Sequence, residues 1–116
     1  MKTLRVLWPH CSTGWFNINW PRNIEEGSVV HISICEARPT ERGKFGDDAQ
    51  FPTMLGGNRH HGLATMWVGN IRPHGSTFDA DSGGVEFYMH IDWDKPIAVM
   101  TDISVLDFPV AGEIVR

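Results

Sequence analysis

The chain has 116 residues, 41% of them hydrophobic and 21% charged, which is the balance of an ordinary globular protein with enough length for one core. Ten lysines and arginines are scattered singly among fourteen acidic residues, giving a net charge of −4 and no basic stripe for a phosphate backbone; nucleic acid is not an expected partner. No apolar run approaches the roughly 18–20 residues of a membrane span, and the N-terminal apolar patch stops at Trp8-Pro9-His10, too soon for a signal peptide.

Thr3 to Trp8 alternates, with Leu4, Val6 and Trp8 on one parity, and reads as a first strand. His10 to Gly14 is a turn of small residues. Trp15 to Trp20 alternates again, Phe16 and Ile18 against Trp15, Asn17 and Asn19, and its polar face marks an edge strand. Ser28 to Ala37 is a strand with Val30, Ile32 and Ile34 on one side and His31, Ser33 and Cys35 on the other; Arg38-Pro39 stops it. Thr40 to Gly62 is the least regular stretch, with a short strand over Ala49 to Leu55. Leu63 to Ile71 is the next strand, and the glycine-rich, polar run Arg72 to Gly83 reads as a loop.

The clearest pattern follows. Val85, Phe87, Met89, Ile91 and Trp93 take one parity, and Glu86, Tyr88, His90 and Asp92 the other. After Asp94-Lys95-Pro96 the alternation resumes, with Ile97, Val99, Thr101, Ile103 and Val105 against Ala98, Met100, Asp102, Ser104 and Leu106. Two such runs separated by so short a gap predict a β-hairpin. Glu113 to Arg116 adds a last short strand.

No segment carries a helical period. Seven or eight strands between Gly/Pro turns predict an all-β chain, folded over residues 1–116 as one domain. The expected architecture is an antiparallel β-sandwich of the jelly-roll kind. A closed β-barrel is the alternative that strand parity does not separate from it. Two cysteines, Cys11 and Cys35, are too few for a disulfide framework. A reduced, cytoplasmic chain is the default, with one Cys11–Cys35 bridge open to it if the protein leaves the cell by a non-classical route.

Five tryptophans exceed what a core of this size needs, and indoles are favoured on flat amphipathic contact surfaces. Trp67 and Trp93, among apolar neighbours, read first as core. Trp15, opposite in parity to Phe16 and Ile18, reads as exposed beside Asn17 and Asn19. An exposed indole stacks on the C–H face of a sugar while amides and carboxylates take its hydroxyls. The polar parity Glu86, Tyr88, His90 and Asp92, with Asp102 and Ser104 from the predicted partner strand, forms a second candidate face. The plain alternative is the wet side of a sheet. The ligand-binding candidates are therefore Trp15, Asn17, Asn19, Trp67, Glu86, Tyr88, His90 and Asp92.

Catalytic signatures are missing from the sequence. Cys35 reads as an inert core thiol, and Cys11, between His10 and Ser12, as the accessible one. Glu86 and Asp92 lie about 20 Å apart at roughly 3.3 Å per strand residue, too far for a glycosidase pair. The six histidines have no zinc spacing. Asp79 and Asp81, two apart before Ser82-Gly83-Gly84, are the weak calcium candidate; the twelfth position from Asp79 is His90, so this is no EF-hand. A solvated acidic turn is the plain reading, and no other cofactor is expected.

Three functions fit. The first is a non-enzymatic, lectin-type module that binds a glycan or other small molecule. The second is a self-assembling phage, capsid or filament subunit, a homo-oligomer with aromatics at its interfaces. The third is a small β-barrel enzyme with Tyr88, His90 and Asp92 lining its mouth.

Overall fold

A computed structural model describes residues 1–39, 57–60, 62–76 and 78–112. The strands are β1 (Lys2–Cys11), β2 (Gly14–Asn19), β3 (Val29–Pro39), β4 (Gly57–Arg59), β5 (Thr65–Ser76), β6 (Asp79–Asp92) and β7 (Ile97–Leu106). Among the described residues six strands are full-length and β4 has only three residues, against the seven or eight expected. One sheet runs β1-β7-β3, with β4 at the edge of β3; the other runs β2-β6-β5. Every pair is antiparallel. Both sheets are open, so the closed barrel is ruled out. The strands expected over Ala49–Leu55 and Glu113–Arg116 lie outside the described residues.

The alternation in the sequence puts the core where the apolar parities meet. Val85, Phe87 and Met89 of β6 are fully buried, as are Val99, Thr101 and Ile103 of β7. Val6 and Trp8 of β1, Phe16 and Ile18 of β2, Ile32 and Ile34 of β3 and Met66 and Val68 of β5 pack around them, so both sheets feed one core. An aromatic cluster ties the sheets together. Trp8 meets Phe16 edge to face at 5.0 Å, and Phe16 stacks on Phe87 at 6.1 Å. Thr101, the polar member of this core, accepts the Trp8 indole N–H at 3.0 Å, which removes the penalty of burying both groups.

The predicted hairpin at Asp94-Lys95-Pro96 does not form. β6 is the central strand of one sheet, flanked by β2 and β5, and β7 is the central strand of the other, flanked by β1 and β3. The chain arches between sheets there. Period-2 alternation specifies an inward face but not whether the next strand pairs edge to edge or packs face to face. Consequently Asp102 and Ser104 do not share a face with Glu86, Tyr88, His90 and Asp92.

Two boundaries also move. β1 continues through Pro9 and His10 to Cys11, with its register shifting between Trp8 and Cys11. Cys11 is thereby buried, 1% exposed, where the sequence suggested an accessible thiol. Both cysteines are free thiols, so the optional bridge is absent. Asp79–Gly83, expected as a loop, begins β6. Glycine serves a packing role there: a Cβ on Gly83 would fall 2.0 Å from the Ile24 carbonyl oxygen.

Candidate functional site

The outward face of the β2-β6-β5 sheet collects all eight predicted ligand-binding residues. Register sets the rows. Trp15 pairs with Tyr88, Asn17 with Glu86 and Asn19 with Gly84. On the other side of β6, Thr65 pairs with Asp92, Trp67 with His90, Gly69 with Tyr88, Arg72 with Glu86 and His74 with Gly84. Between Gly69 and Arg72 the register shifts, with Asn70 at a φ of 48°. This bulge holds Ile71 toward the core and returns Arg72 and His74 to the outer face.

The face has two halves of different chemistry. Its aromatic half comprises Trp15, Tyr88, His90 and Trp67. Trp15 and Tyr88 meet edge to face at 5.4 Å, with 74° between their planes. Trp67 and His90 stack nearly parallel, 4.9 Å apart and 11° between planes. Gly69, in the row of Trp15 and Tyr88, leaves room for the indole: a Cβ there would touch Trp67 Cζ3 at 3.4 Å. Trp15 is 60% and Trp67 51% exposed. The exposure of Trp15 is as expected from parity, whereas Trp67 corrects the core reading. Trp93, just beyond Asp92 at this same end of the sheet, is 45% exposed and corrects it too. At the end of a strand the parity rule lapses, because the chain is already turning: the Trp93 N–H bonds the Ile91 carbonyl at 3.1 Å.

The polar half is bonded to itself. Arg72 Nη1 donates to Glu86 Oε1 at 3.1 Å. Asn17 Nδ2 donates to Asn19 Oδ1 at 2.9 Å, and Asn17 Oδ1 lies 2.7 Å from His74 Nε2. His74 Nδ1 lies 3.0 Å from the Ser82 carbonyl oxygen, to which it donates. Asn17, Asn19 and Glu86 therefore sit at the predicted face but spend much of their bonding capacity on neighbours. Arg72, His74, Gly69 and Thr13 were missed from sequence. Pro73 and Gly75 around His74 look like turn chemistry, and only the bulge keeps that run in the sheet. Thr13, in the turn before β2, has its hydroxyl 2.9 Å from the Ile91 amide and 3.2 Å from the Ile91 carbonyl, which extends the β2–β6 pairing by side chain.

Asp79 and Asp81, the calcium candidates, lie at the opposite end of β6. Asp79 Oδ1 accepts the Asp81 N–H at 3.1 Å, and Asp81 lies 3.6 Å from Arg22. Among the described residues no three His, Cys, Asp or Glu side chains are grouped to hold a metal ion. A cavity of about 500 Å³ beside that end is lined by Arg22, Glu25, Ser28, Ser76 and Phe108 and shares no residue with the aromatic half.

Asp102 and Ser104 belong to the outer face of the other sheet. Arg5 clamps Asp102 with two hydrogen bonds, 2.7 and 2.9 Å, and Arg59 Nη2 adds a third at 2.8 Å. The Arg5 hydrogen bonds hold the Asp102 carboxyl below the usual carboxylate range, against partial burial that pushes it up, and Arg59 helps. Arg59 Nη1 also lies 3.1 Å from Cys35 Sγ, so this thiol faces outward and is not core. Burial alone pushes the Cys11 thiol up to about 11. No family model, curated protein or solved structure matches the chain.

Proposed function

We propose that this chain is a carbohydrate-binding module that works without catalysis, as a single all-β domain of jelly-roll sandwich type. Nested pairing of β1 with β7 in one sheet and β2 with β6 in the other supports that architecture. The observation that carries the function is the aromatic half of the β2-β6-β5 face, where two indoles keep about half their surface in water. An indole left exposed offers apolar area and a π-face to the C–H side of a pyranose. Asp92, exposed at the same end, and the Tyr88 hydroxyl offer an acceptor and a donor for its hydroxyls. A glycan array followed by titration of tryptophan fluorescence tests this. Binding with a change in emission is expected; silence on every glycan, with and without calcium, overturns it.

A second reading is self-assembly. Phe78 is 99%, Val110 94% and Phe108 65% exposed, and large apolar side chains in water are what a subunit interface removes. Sedimentation at micromolar concentration separates the two, since a clean monomer leaves only the first.

A further inference from the structure

Resting on the carbohydrate reading, we infer the substrate class: a neutral, extended, β-1,4-linked polysaccharide, gripped along its length and not at its end. The row spacing comes first. Trp15 and Trp67 sit on the two flanking strands, one row apart. Two strand spacings of about 4.8 Å and one two-residue step of about 6.6 Å put their backbones about 12 Å apart. A single pyranose covers one of these rings but not both. Two to three rings of an extended chain cover both, with Tyr88 and His90 lying between.

The open ends come second. β2 and β5 are both edge strands of this sheet, so a chain laid from Trp15 to Trp67 passes over an edge at each side. A chain end has no special place on such a row, and interior units bind as well as terminal ones.

Chemistry selects the sugar. In a β-1,4-linked pyranose with equatorial substituents the hydroxyls point sideways and the axial C–H bonds point up and down. Each ring then presents an apolar face to an indole, in the case of Trp67 to the side that His90 leaves free, and a polar rim to Tyr88, Thr65 and Asp92. An α-linked chain coils and lifts off a row this long. Charge completes the choice. Asp92 supplies a carboxylate in these rows, while Arg72, the cation of the next row, is paired with Glu86. The chain as a whole carries −4. Uronate or sulfated polymers are repelled, and neutral ones are not.

The test is calorimetric titration with β-1,4-linked gluco-, manno- and xylo-oligosaccharides from monosaccharide to hexasaccharide, with maltohexaose and a polygalacturonate fragment alongside. Affinity is expected to rise steeply up to about the trisaccharide and then level, unchanged by reduction of the terminal sugar. Trp15→Ala and Trp67→Ala are each expected to weaken hexasaccharide binding about tenfold or more. Trp15→Phe is expected to retain most of it, which separates ring loss from misfolding. A monosaccharide binding as tightly as the hexasaccharide, or preference for the α-linked or acidic chain, overturns this inference while leaving carbohydrate binding standing. No binding to any of them, by a chain whose circular dichroism is that of a folded β protein, overturns this inference, and silence across the glycan array as well overturns both.

Discussion

The outer faces of the two sheets are built from the same alternation and end in opposite states. On the β1-β7-β3 sheet the outward polar groups consume one another: Asp102 takes three guanidinium hydrogen bonds, and Thr3 and Ser104 bond hydroxyl to hydroxyl at 2.9 Å. On the β2-β6-β5 sheet Arg72–Glu86 and the Asn17–Asn19–His74 chain do the same in one half only. In the other half Trp15 and Trp67 remain open to solvent. A polar or aromatic residue on an outer face is therefore not a site by virtue of facing out. It becomes one when its contacts leave capacity unused.

That difference can be broken from either side. The largest effect is expected on the closed face. Asp102→Ala strands Arg5, whose side chain is only 22% exposed, and should cost about 2–3 kcal/mol in urea unfolding with no change in glycan binding. A destabilisation near zero would mean that the network is decorative. Acid should expose the same network. Because the folded-state carboxyl of Asp102 lies below its unfolded value, its contribution is complete at neutral pH. It should fade as the pH falls below about 4, and Asp102→Asn should flatten that part of the profile. Alkali should act through the core instead. The Cys11 thiol is raised to about 11 in the folded chain, so its contribution is full below the unfolded value of about 8.5. It should be lost as the pH climbs between the two, and Cys11→Ala should remove that slope.

The open face should respond with less stability and more function. Trp67→Ala forfeits the stack on His90, about 1 kcal/mol, yet removes one of the two indoles proposed to hold the polysaccharide. Smallest of all in stability is Gly69→Ala. A methyl there meets Trp67 Cζ3 at 3.4 Å, the near limit of ordinary contact, so a small shift in Trp67 emission is expected with unfolding nearly unchanged. An unaltered spectrum would show that Gly69 is not what seats the ring.

Much of this was legible in the chain. Alternation in Val85–Ile91 and Ile97–Val105 identifies the buried parity because burial on one face is all that period 2 requires, and it identifies the edge strand at Trp15. The same signal is silent on sheet order, which is why an arch looks like a hairpin in the sequence and Asp102 falls with Glu86. Bulges defeat it differently. An inserted residue at Asn70 hides Arg72 and His74 behind Pro73 and Gly75, and the register shift before Cys11 conceals a buried thiol in what looks like a turn. The site candidates came together because Trp15, Tyr88, His90 and Trp67 sit on strands that pair. Composition drew attention to the tryptophans, but only the register could join them.

The strands that join β1 to β3 and β2 to β5 are β7 and β6, the last two among the described residues. During synthesis β1, β2 and β5 therefore emerge before the strands they pair with, only β3 finding the three-residue β4 early, and Lys2 waits for Val105 before β1 has a partner. Contacts of such sequence separation make folding slow, and unpaired strand edges invite pairing with neighbouring chains meanwhile. A chain truncated after Phe78 should be protease-sensitive over β1, β2 and β5, and one released after completion through Leu106 should become resistant in a single step.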